Sequence, residues 1–299
     1  MKIGVVVPAD EADGEGATPP WAVTRSFALA AEAHGLDSVW MYDHLFEGPD
    51  DDGKIEGLHE AWTLVSALAA VTTRVEIGTI VLCTSFRSPG LTAKMAVAAD
   101  AVSEGRLILG LGAGWHDPEY RAFGIPLDHR AARFEETLQV LAPLLRGETV
   151  TFSGRFHQTD GAVLVPPADR RIPLLIASRR PRMPRLTARY ADAWNTAWFG
   201  APDERLQERF ADLDRALEEE GRDPREVART VGIFAVDRRT RPEHEGPAVT
   251  FGDSVDELAS ALDAYEELGV EHVIVVLQPM TEASIERLAA AVARRAGAR

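Results

Sequence analysis

The 299-residue sequence contains three lysines, one cysteine and no apolar run of the roughly 18 residues that a membrane-spanning helix needs. Lys2, Lys54 and Lys94 fall at a strand start, in an acidic loop and inside a helical stretch, so no strand end offers an amine for Schiff-base chemistry. A lone Cys83 excludes an intrachain disulfide and a cysteine-rich zinc site. The 8 histidines show neither H-E-x-x-H nor another compact ligand spacing, and no metal is expected. Basic residues are also scarce, 32 against 47 acidic ones, for a net charge of -15. That field repels nucleic acid and anionic membranes, which leaves a small molecule as the expected partner. The first residues lack the apolar core and small-residue cleavage site of a signal peptide, so a reducing cytoplasm is the expected setting.

Apolar material is ample, with 45% hydrophobic residues and a mean hydropathy of -0.12, as in ordinary globular chains. Short Val/Ile/Leu runs alternate with amphipathic ones, the pattern of βα units around a parallel sheet covered on both faces. Eight strands are expected: Lys2 to Val7, Ser38 to Tyr42, Val75 to Leu82, Arg106 to Leu111, Pro173 to Ala177, Ala193 to Thr196, Thr230 to Val236 and His272 to Leu277. Helical stripes at 3.6-residue spacing, such as Phe134, Leu138, Leu141 and Leu145, lie between them. The expected fold is α/β, a single (β/α)8 TIM barrel domain over residues 1–299. Two stretches exceed a minimal barrel. Gly147 to Arg171 reads as an inserted β-hairpin before strand 5, with runs Thr149 to Phe152 and Ala162 to Val165 and turn signals at Ser153-Gly154 and Asp160-Gly161. Asp237 to Pro247 is a long loop after strand 7, either a mobile lid or a plain surface loop.

In such a barrel the residues just after each strand converge on one mouth. Strand 2 delivers Asp43 and His44, a proton donor or acceptor beside a carboxylate; the alternative is a pair that merely fixes a loop. Strand 4 delivers Gly110-Leu111-Gly112-Ala113-Gly114-Trp115-His116, followed by Glu119. The spacing is G-x-G-x-G rather than the dinucleotide fingerprint G-x-G-x-x-G. Gly112, Ala113 and Gly114 either let a flat ring approach the backbone, with His116 and Glu119 near it, or make a tight turn. Strand 5 delivers Ala177-Ser178-Arg179-Arg180-Pro181-Arg182, an Arg-rich segment suited to phosphate or carboxylate oxygens, whereas Arg170, Arg171 and Arg189 suit pairing with the abundant acids. Cys83 closes strand 3, as a cofactor contact or as a small buried thiol. Phe46, Trp115, Trp198, Phe199 and Met280 suggest an apolar substrate pocket, though such residues are as often simple core.

Several strings taken in order resemble the luciferase-like monooxygenase superfamily, whose members use FMN or the deazaflavin coenzyme F420. They are Ala31-Glu32-Ala33-His34-Gly35-Leu36-Asp37-Ser38-Val39-Trp40 leading into Asp43-His44, and Thr73 to Thr79. Gly105-Arg106-Leu107 through Gly114-Trp115, Arg133 to Leu138 and Ala188 to Asn195 continue the match over nearly the whole chain. The resemblance implies that Asp43 and His44 lie by the ring and that the loop after strand 5 binds the cofactor phosphate. It also implies a non-prolyl cis peptide behind the ring, joining Ile80 to Val81 or, as the neighbouring possibility, Thr79 to Ile80, and a homodimer. Ser178-Arg179 stands where relatives often have Gly-Gly, which shifts part of the phosphate contact to Arg side chains. Deazaflavin enzymes that oxidise glucose 6-phosphate carry a tryptophan and a glutamate where this chain has Gly48 and Ala113, so a different substrate is expected.

Three functions fit these residues: a coenzyme F420-dependent oxidoreductase transferring a hydride, an FMN-dependent monooxygenase using dioxygen, and a non-catalytic flavin-binding protein. Asp43, His44 and His116 together weigh toward catalysis.

Overall fold

A computed structural model describes residues 1–11, 16–48, 53–177, 183–240 and 246–297. The first half runs β1 (Lys2–Val6), α1 (Trp21–Ala33), β2 (Ser38–Met41), α2 (Ala61–Val71), β3 (Glu76–Thr79), β4 (Leu82–Cys83), α3 (Pro89–Val102), β5 (Leu107–Gly112), α4 (Asp117–Ala122) and α5 (Arg130–Leu145). There follow β6 (Val150–Ser153), β7 (Gln158–Ala162), β8 (Leu174–Ala177), α6 (Met183–Tyr190), β9 (Ala193–Phe199) and α7 (Glu204–Glu219). The chain ends with β10 (Ala228–Asp237), β11 (Val249–Phe251), α8 (Asp256–Glu267), β12 (His272–Gln278) and α9 (Glu282–Gly297).

The strands β1, β2, β3, β5, β8, β9, β10 and β12 pair in that order, all parallel, and β12 pairs back onto β1 with Lys2 opposite His272. This is the expected (β/α)8 barrel. Alternation along the strands sends one set of side chains outward under the helices, among them Val5, Val39, Ile77, Leu109, Ile176 and Val275. The other set, Val6, Trp40, Ile108, Leu175, Ala193 and Ile274, fills the interior. Trp40 occupies much of that space because Gly78 opposite it has no side chain: a Cβ there would lie 2.1 Å from the indole ring.

The end of the barrel opposite the mouth is riveted by two polar side chains from the matching strings. Glu32 accepts the backbone N–H groups of Thr73 (2.9 Å), Arg74 (2.5 Å) and Val75 (3.1 Å). Arg106 donates to the carbonyls of Val75 (2.7 Å), Thr72 (2.8 Å) and Ala69 (3.0 Å), fastening β5 to the end of α2. Within these strings Glu32 and Arg106 therefore serve stability rather than chemistry.

The inserted hairpin is present, but its second strand lies earlier than Ala162 to Val165. Glu136 accepts the N–H groups of Arg155, Phe156 and His157 and so fixes the turn there, pairing Phe152 with Thr159 and Val150 with Ala162. Asp160-Gly161 is no turn; Gly161 sits at φ 58° beside the irregularity between Val150 and Phe152, and its N–H meets Thr151 Oγ1 at 2.9 Å. Strand Gln158–Ala162 has no buried residue, so apolar content was the wrong guide to it. Of the loop after β10, residues 241–245 lie outside the described residues. Arg239 ties its start, bridging Asp237 (2.6 Å) and Asp253, and β11 then adds to β10 in parallel. No helix among the described residues is long and apolar enough to cross a membrane.

At the barrel's centre Trp40 Nε1 donates to Ser38 Oγ at 2.7 Å, and that hydroxyl lies 2.7 Å from Nε2 of buried His272. Burial and the positive charges of Lys2 and the N-terminus push His272 down to about 3. The unfolded chain then binds this proton more readily than the folded one, so the stability concerned is present above pH ~6.5 and lost as pH falls toward 3. Between pH 7.5 and 5.5 the native protein should lose about 1.4 kcal/mol more stability than His272→Gln in urea unfolding. Equal losses would show that His272 does not titrate in this way.

Candidate functional site at the barrel mouth

Asp43 and His44 both follow β2 at the mouth, yet they face different partners. Asp43 is 3% exposed. Its Oδ2 accepts from Cys83 N–H (2.9 Å) and from Arg87 (2.7 Å), and its Oδ1 accepts from the other arm of the guanidinium (3.2 Å). Arg87 also reaches Glu60, which caps α2. Burial raises Asp43 above the usual carboxyl range despite Arg87, and the acids hold Arg87 up against its own burial. The fork thus fastens the loops after β2 and β4 to each other.

The carboxylate that holds His44 is Glu119, not its neighbour Asp43. Glu119 lies in the first turn of α4; its Oε1 is 3.1 Å from His44 Nδ1 and its Oε2 accepts the N–H of Leu45 at 2.8 Å. On the other side of the ring, Nε2 lies 3.6 Å from Glu47 Oε1. Burial opposes a charged His44, but the hydrogen bond to Glu119 and the charges of Glu47, Glu119 and Asp43 outweigh it and raise His44 above the ordinary imidazole range. Glu47 is raised by burial, against the pull of His44.

His116 packs edge-on to His44 (5.8 Å), Phe46 (5.8 Å) and Trp115 (5.2 Å). Its Nε2 is buried without a protein partner among the described residues. Trp115 itself is 64% exposed and stands edge-on to His44 at 5.5 Å. The imidazole of His44 therefore sits in an aromatic box with carboxylates at both its nitrogens.

Below this box, Tyr42, Val81, Trp198, Phe234 and Met280, all half-buried, pack on the inner barrel cluster that includes Ile80. The peptide joining Ile80 to Val81 is cis, as the resemblance implies, and so is that joining Ala197 to Trp198. Phe199 lies elsewhere: it is 1% exposed in the outer core, with the guanidinium groups of Arg205 and Arg209 over its ring. Consecutive strand residues face opposite sides, so Trp198 and Phe199 do not share a pocket.

The glycines after strand 4 make room for the protein's own groups. A Cβ on Gly112 would meet Val81 at 2.4 Å, and one on Gly114, where φ is +76°, would meet the Tyr120 hydroxyl at 1.8 Å. Ala113 lends its carbonyl to that hydroxyl at 3.1 Å. Cys83 is buried against the same hydroxyl (3.2 Å), and burial pushes its thiol up to about 11, so the side chain stays protonated. Ala177 ends β8. Ser178, Arg179, Arg180 and Arg182, assigned from sequence to the cofactor's anionic tail, lie outside the described residues. Arg170 pairs with Asp100 (2.6 Å), Arg171 with Asp192, and Arg189 with Glu220 (2.7 Å), as the excess of acids predicts.

Arg87 and Glu47 were not singled out by the sequence, and Glu119 was expected near a flat ring beside His116 rather than as the partner of His44. The signal for Arg87 is its place just past a strand end and one residue before the Ser88-Pro89 helix start; for Glu119 it is one helical step beyond His116.

Replacing Arg87 by Met leaves the Asp43 carboxylate buried without its cation, which should cost about 3 to 5 kcal/mol near neutral pH. Asp43 in that variant is further raised, so the penalty grows as pH rises and shrinks as acid protonates the carboxyl. Urea unfolding across pH checks this; a pH-independent loss, or no recovery on adding Asp43→Asn, would refute it.

With this geometry established, the chain compares with known proteins as follows. A family model described as luciferase-like monooxygenase matches residues 1–273. The phthiodiolone/phenolphthiodiolone dimycocerosates ketoreductase of Mycobacterium tuberculosis is 29% identical over 280 residues, covering 85% of this chain and 71% of the relative. The F420-dependent glucose-6-phosphate dehydrogenase of Nakamurella multipartita is 36% identical over 186 residues, 58% of this chain and 52% of the relative. Among solved structures, an F420-dependent secondary alcohol dehydrogenase in complex with an F420-acetone adduct superposes with a TM-score of 0.82 at 20% identity, covering 99% of each chain. The last shows the fold alone; the family match, spanning most of the chain, shows that this protein belongs to the luciferase-like monooxygenase family.

Proposed function

We propose that the protein is a coenzyme F420-dependent oxidoreductase that interconverts a carbonyl and an alcohol on a small organic substrate. The observation that carries this reading is His44, an imidazole poised at the mouth with a carboxylate at each ring nitrogen, beside a half-buried apolar rim. The residues fit a flat tricyclic group: Tyr42, Val81, Trp198, Phe234 and Met280 offer apolar contact, and buried His116 Nε2 has a hydrogen bond to give or take. Bound deazaflavin would supply or accept the hydride; this chain's part is to orient it and to move the proton. His44 serves as the proton donor or acceptor, and Asp43 holds the adjoining loops in place through Arg87. Ser178, Arg179, Arg180 and Arg182 are assigned the anionic tail on sequence alone.

Relatives support the cofactor and the reaction class. Two of the three proteins above carry F420 in their names, and the third is named a ketoreductase. Gly48 and Ala113, in place of the expected tryptophan and glutamate, favour a substrate other than glucose 6-phosphate.

Titration of the purified protein with F420 and with FMN should show tighter binding of F420, weakening with salt as expected for an anionic tail on arginines. Reduced F420 should then be reoxidised by members of a ketone panel. His44→Ala should lower turnover about 10²- to 10⁴-fold with little change in cofactor affinity. Preferred FMN binding with dioxygen consumption would overturn the reading in favour of a monooxygenase, and a bound deazaflavin that no substrate reoxidises would reveal a binding protein.

We further infer that the enzyme is a cytoplasmic homodimer. Ala98, Ala101 and Val102 are exposed on the C-terminal half of α3, beside exposed Thr63 and Ala70 on α2, and Leu91 and Lys94 are exposed on its first turns, with Lys94 turned to the Val165 carbonyl; the small side chains suit close helix packing. Sedimentation should give a dimer for the native chain and a monomer for Ala98→Glu with Ala101→Glu; a monomeric native chain would refute it.

A further inference from the structure

We propose that Glu119 is the positioning residue that fixes His44 as a proton donor, and that Glu47 is the group through which His44 regains its proton from solvent. The assignment deepens the reading of the mouth as an oxidoreductase site and rests on it.

The geometry divides the work between the two nitrogens of one ring. Glu119 is buried, and its two oxygens are committed, one to His44 Nδ1 at 3.1 Å and one to the Leu45 N–H at 2.8 Å. A carboxylate held at both oxygens cannot swing away, so Nδ1 carries hydrogen and the ring plane is set. Nε2 faces Glu47 at 3.6 Å, longer than a hydrogen bond, which leaves its N–H unspent for a substrate oxygen. Unlike Glu119, Glu47 keeps 29% of its side chain exposed and so reaches water.

The other groups around His44 do not compete for these roles. Asp43 gives its oxygens to Cys83 N–H and Arg87. His116 and Trp115 present ring edges, Tyr42 lies tilted at 6.3 Å, and Asp10 faces Glu47 and supports its protonated form. Carboxylates at both nitrogens favour the imidazolium, the form that gives a proton, so the site is built for the direction that reduces a carbonyl. In that direction bound reduced deazaflavin would supply the hydride, and with it both electrons of the new C–H bond, while this chain supplies the proton. The carbonyl π pair moves to oxygen, which takes the proton from His44 Nε2. Once His44 is neutral, the Glu47 carboxylate takes a proton from solvent at its exposed side and passes it to Nε2, which restores the imidazolium and the carboxylate.

Two experiments test this, the first without any cofactor. The full chain with ¹³C-labelled histidine is titrated by NMR, with His44→Gln assigning the resonance. Native His44 should titrate above the ordinary imidazole midpoint as the Nδ1–H tautomer when neutral, and Glu119→Gln should lower the midpoint by about one pH unit or more and release the tautomer. Glu119→Asp, which keeps the charge at a shorter reach, should fall between them and serves if the Gln variant does not fold. An unchanged midpoint and tautomer would overturn the role of Glu119 whichever cofactor the protein binds.

The second experiment measures ketone reduction. Glu119→Gln should lower kcat about tenfold or more with KM nearly unchanged and move the alkaline limb of the pH profile toward lower pH. Glu47→Gln should make turnover rise with the concentration of a small weak-acid buffer such as imidazole, a dependence the native enzyme lacks. A Glu47→Gln enzyme as fast as native at every buffer concentration would overturn the relay. Failure of F420 turnover in the native protein, with the NMR shifts intact, would instead sink the oxidoreductase reading and leave the Glu119–His44 pairing standing.

Discussion

A parallel sheet cannot end in solvent without exposing a row of unpaired backbone groups, and here β1 removes the problem by bonding to β2 on one side and β12 on the other. Closure forces all the barrel strands to point the same way. Their C-terminal ends then meet at one rim, so residues as distant in sequence as Asp43, Cys83, Glu119 and Met280 become neighbours of one mouth. The opposite rim, where Glu32 and Arg106 saturate backbone groups of the connecting turns, carries the mechanical load. The fastening of the connecting turns and the candidate site thus lie at opposite ends of the same strands.

The fold was legible because it is written in local patterns. Apolar runs located the barrel strands to within a few residues, as with Arg106 to Leu111 against Leu107–Gly112. Val75 to Leu82, in contrast, reads as one strand and is two, since Ile80 and Val81 carry strand-like side chains where the ladder is interrupted. The polar strand Gln158–Ala162 was misplaced because nothing buries it, and periodicity reports burial rather than pairing. Phe199 was misplaced for the complementary reason: its type suggests a pocket, and only strand phase says which side it faces.

The site was legible as a set of residues but not as a set of partnerships. Asp43 and His44 are adjacent in the chain, which suggests an acid holding its neighbouring base. Space assigns them instead to Arg87 and Glu119, 44 and 75 positions away. No local signal encodes such a choice, because it depends on which loops the barrel brings together. An acidic protein also had to supply a cation for the buried carboxylate of Asp43, and the one that does so comes from the unremarked loop before α3.

The interior filling has a consequence for traffic. Val6, Trp40, Ile108, Leu175, Ala193 and Ile274 plug the barrel below the mouth, and the Trp40, Ser38 and His272 contacts lie within that plug. The mouth is therefore blind-ended, and whatever goes in comes out by the same opening. A flat molecule bound on the plug would have to arrive before anything stacked above it and leave after it. In kinetic terms a barrel closed at its base would impose sequence on two visitors stacked in its mouth: the first to bind would be the last to go.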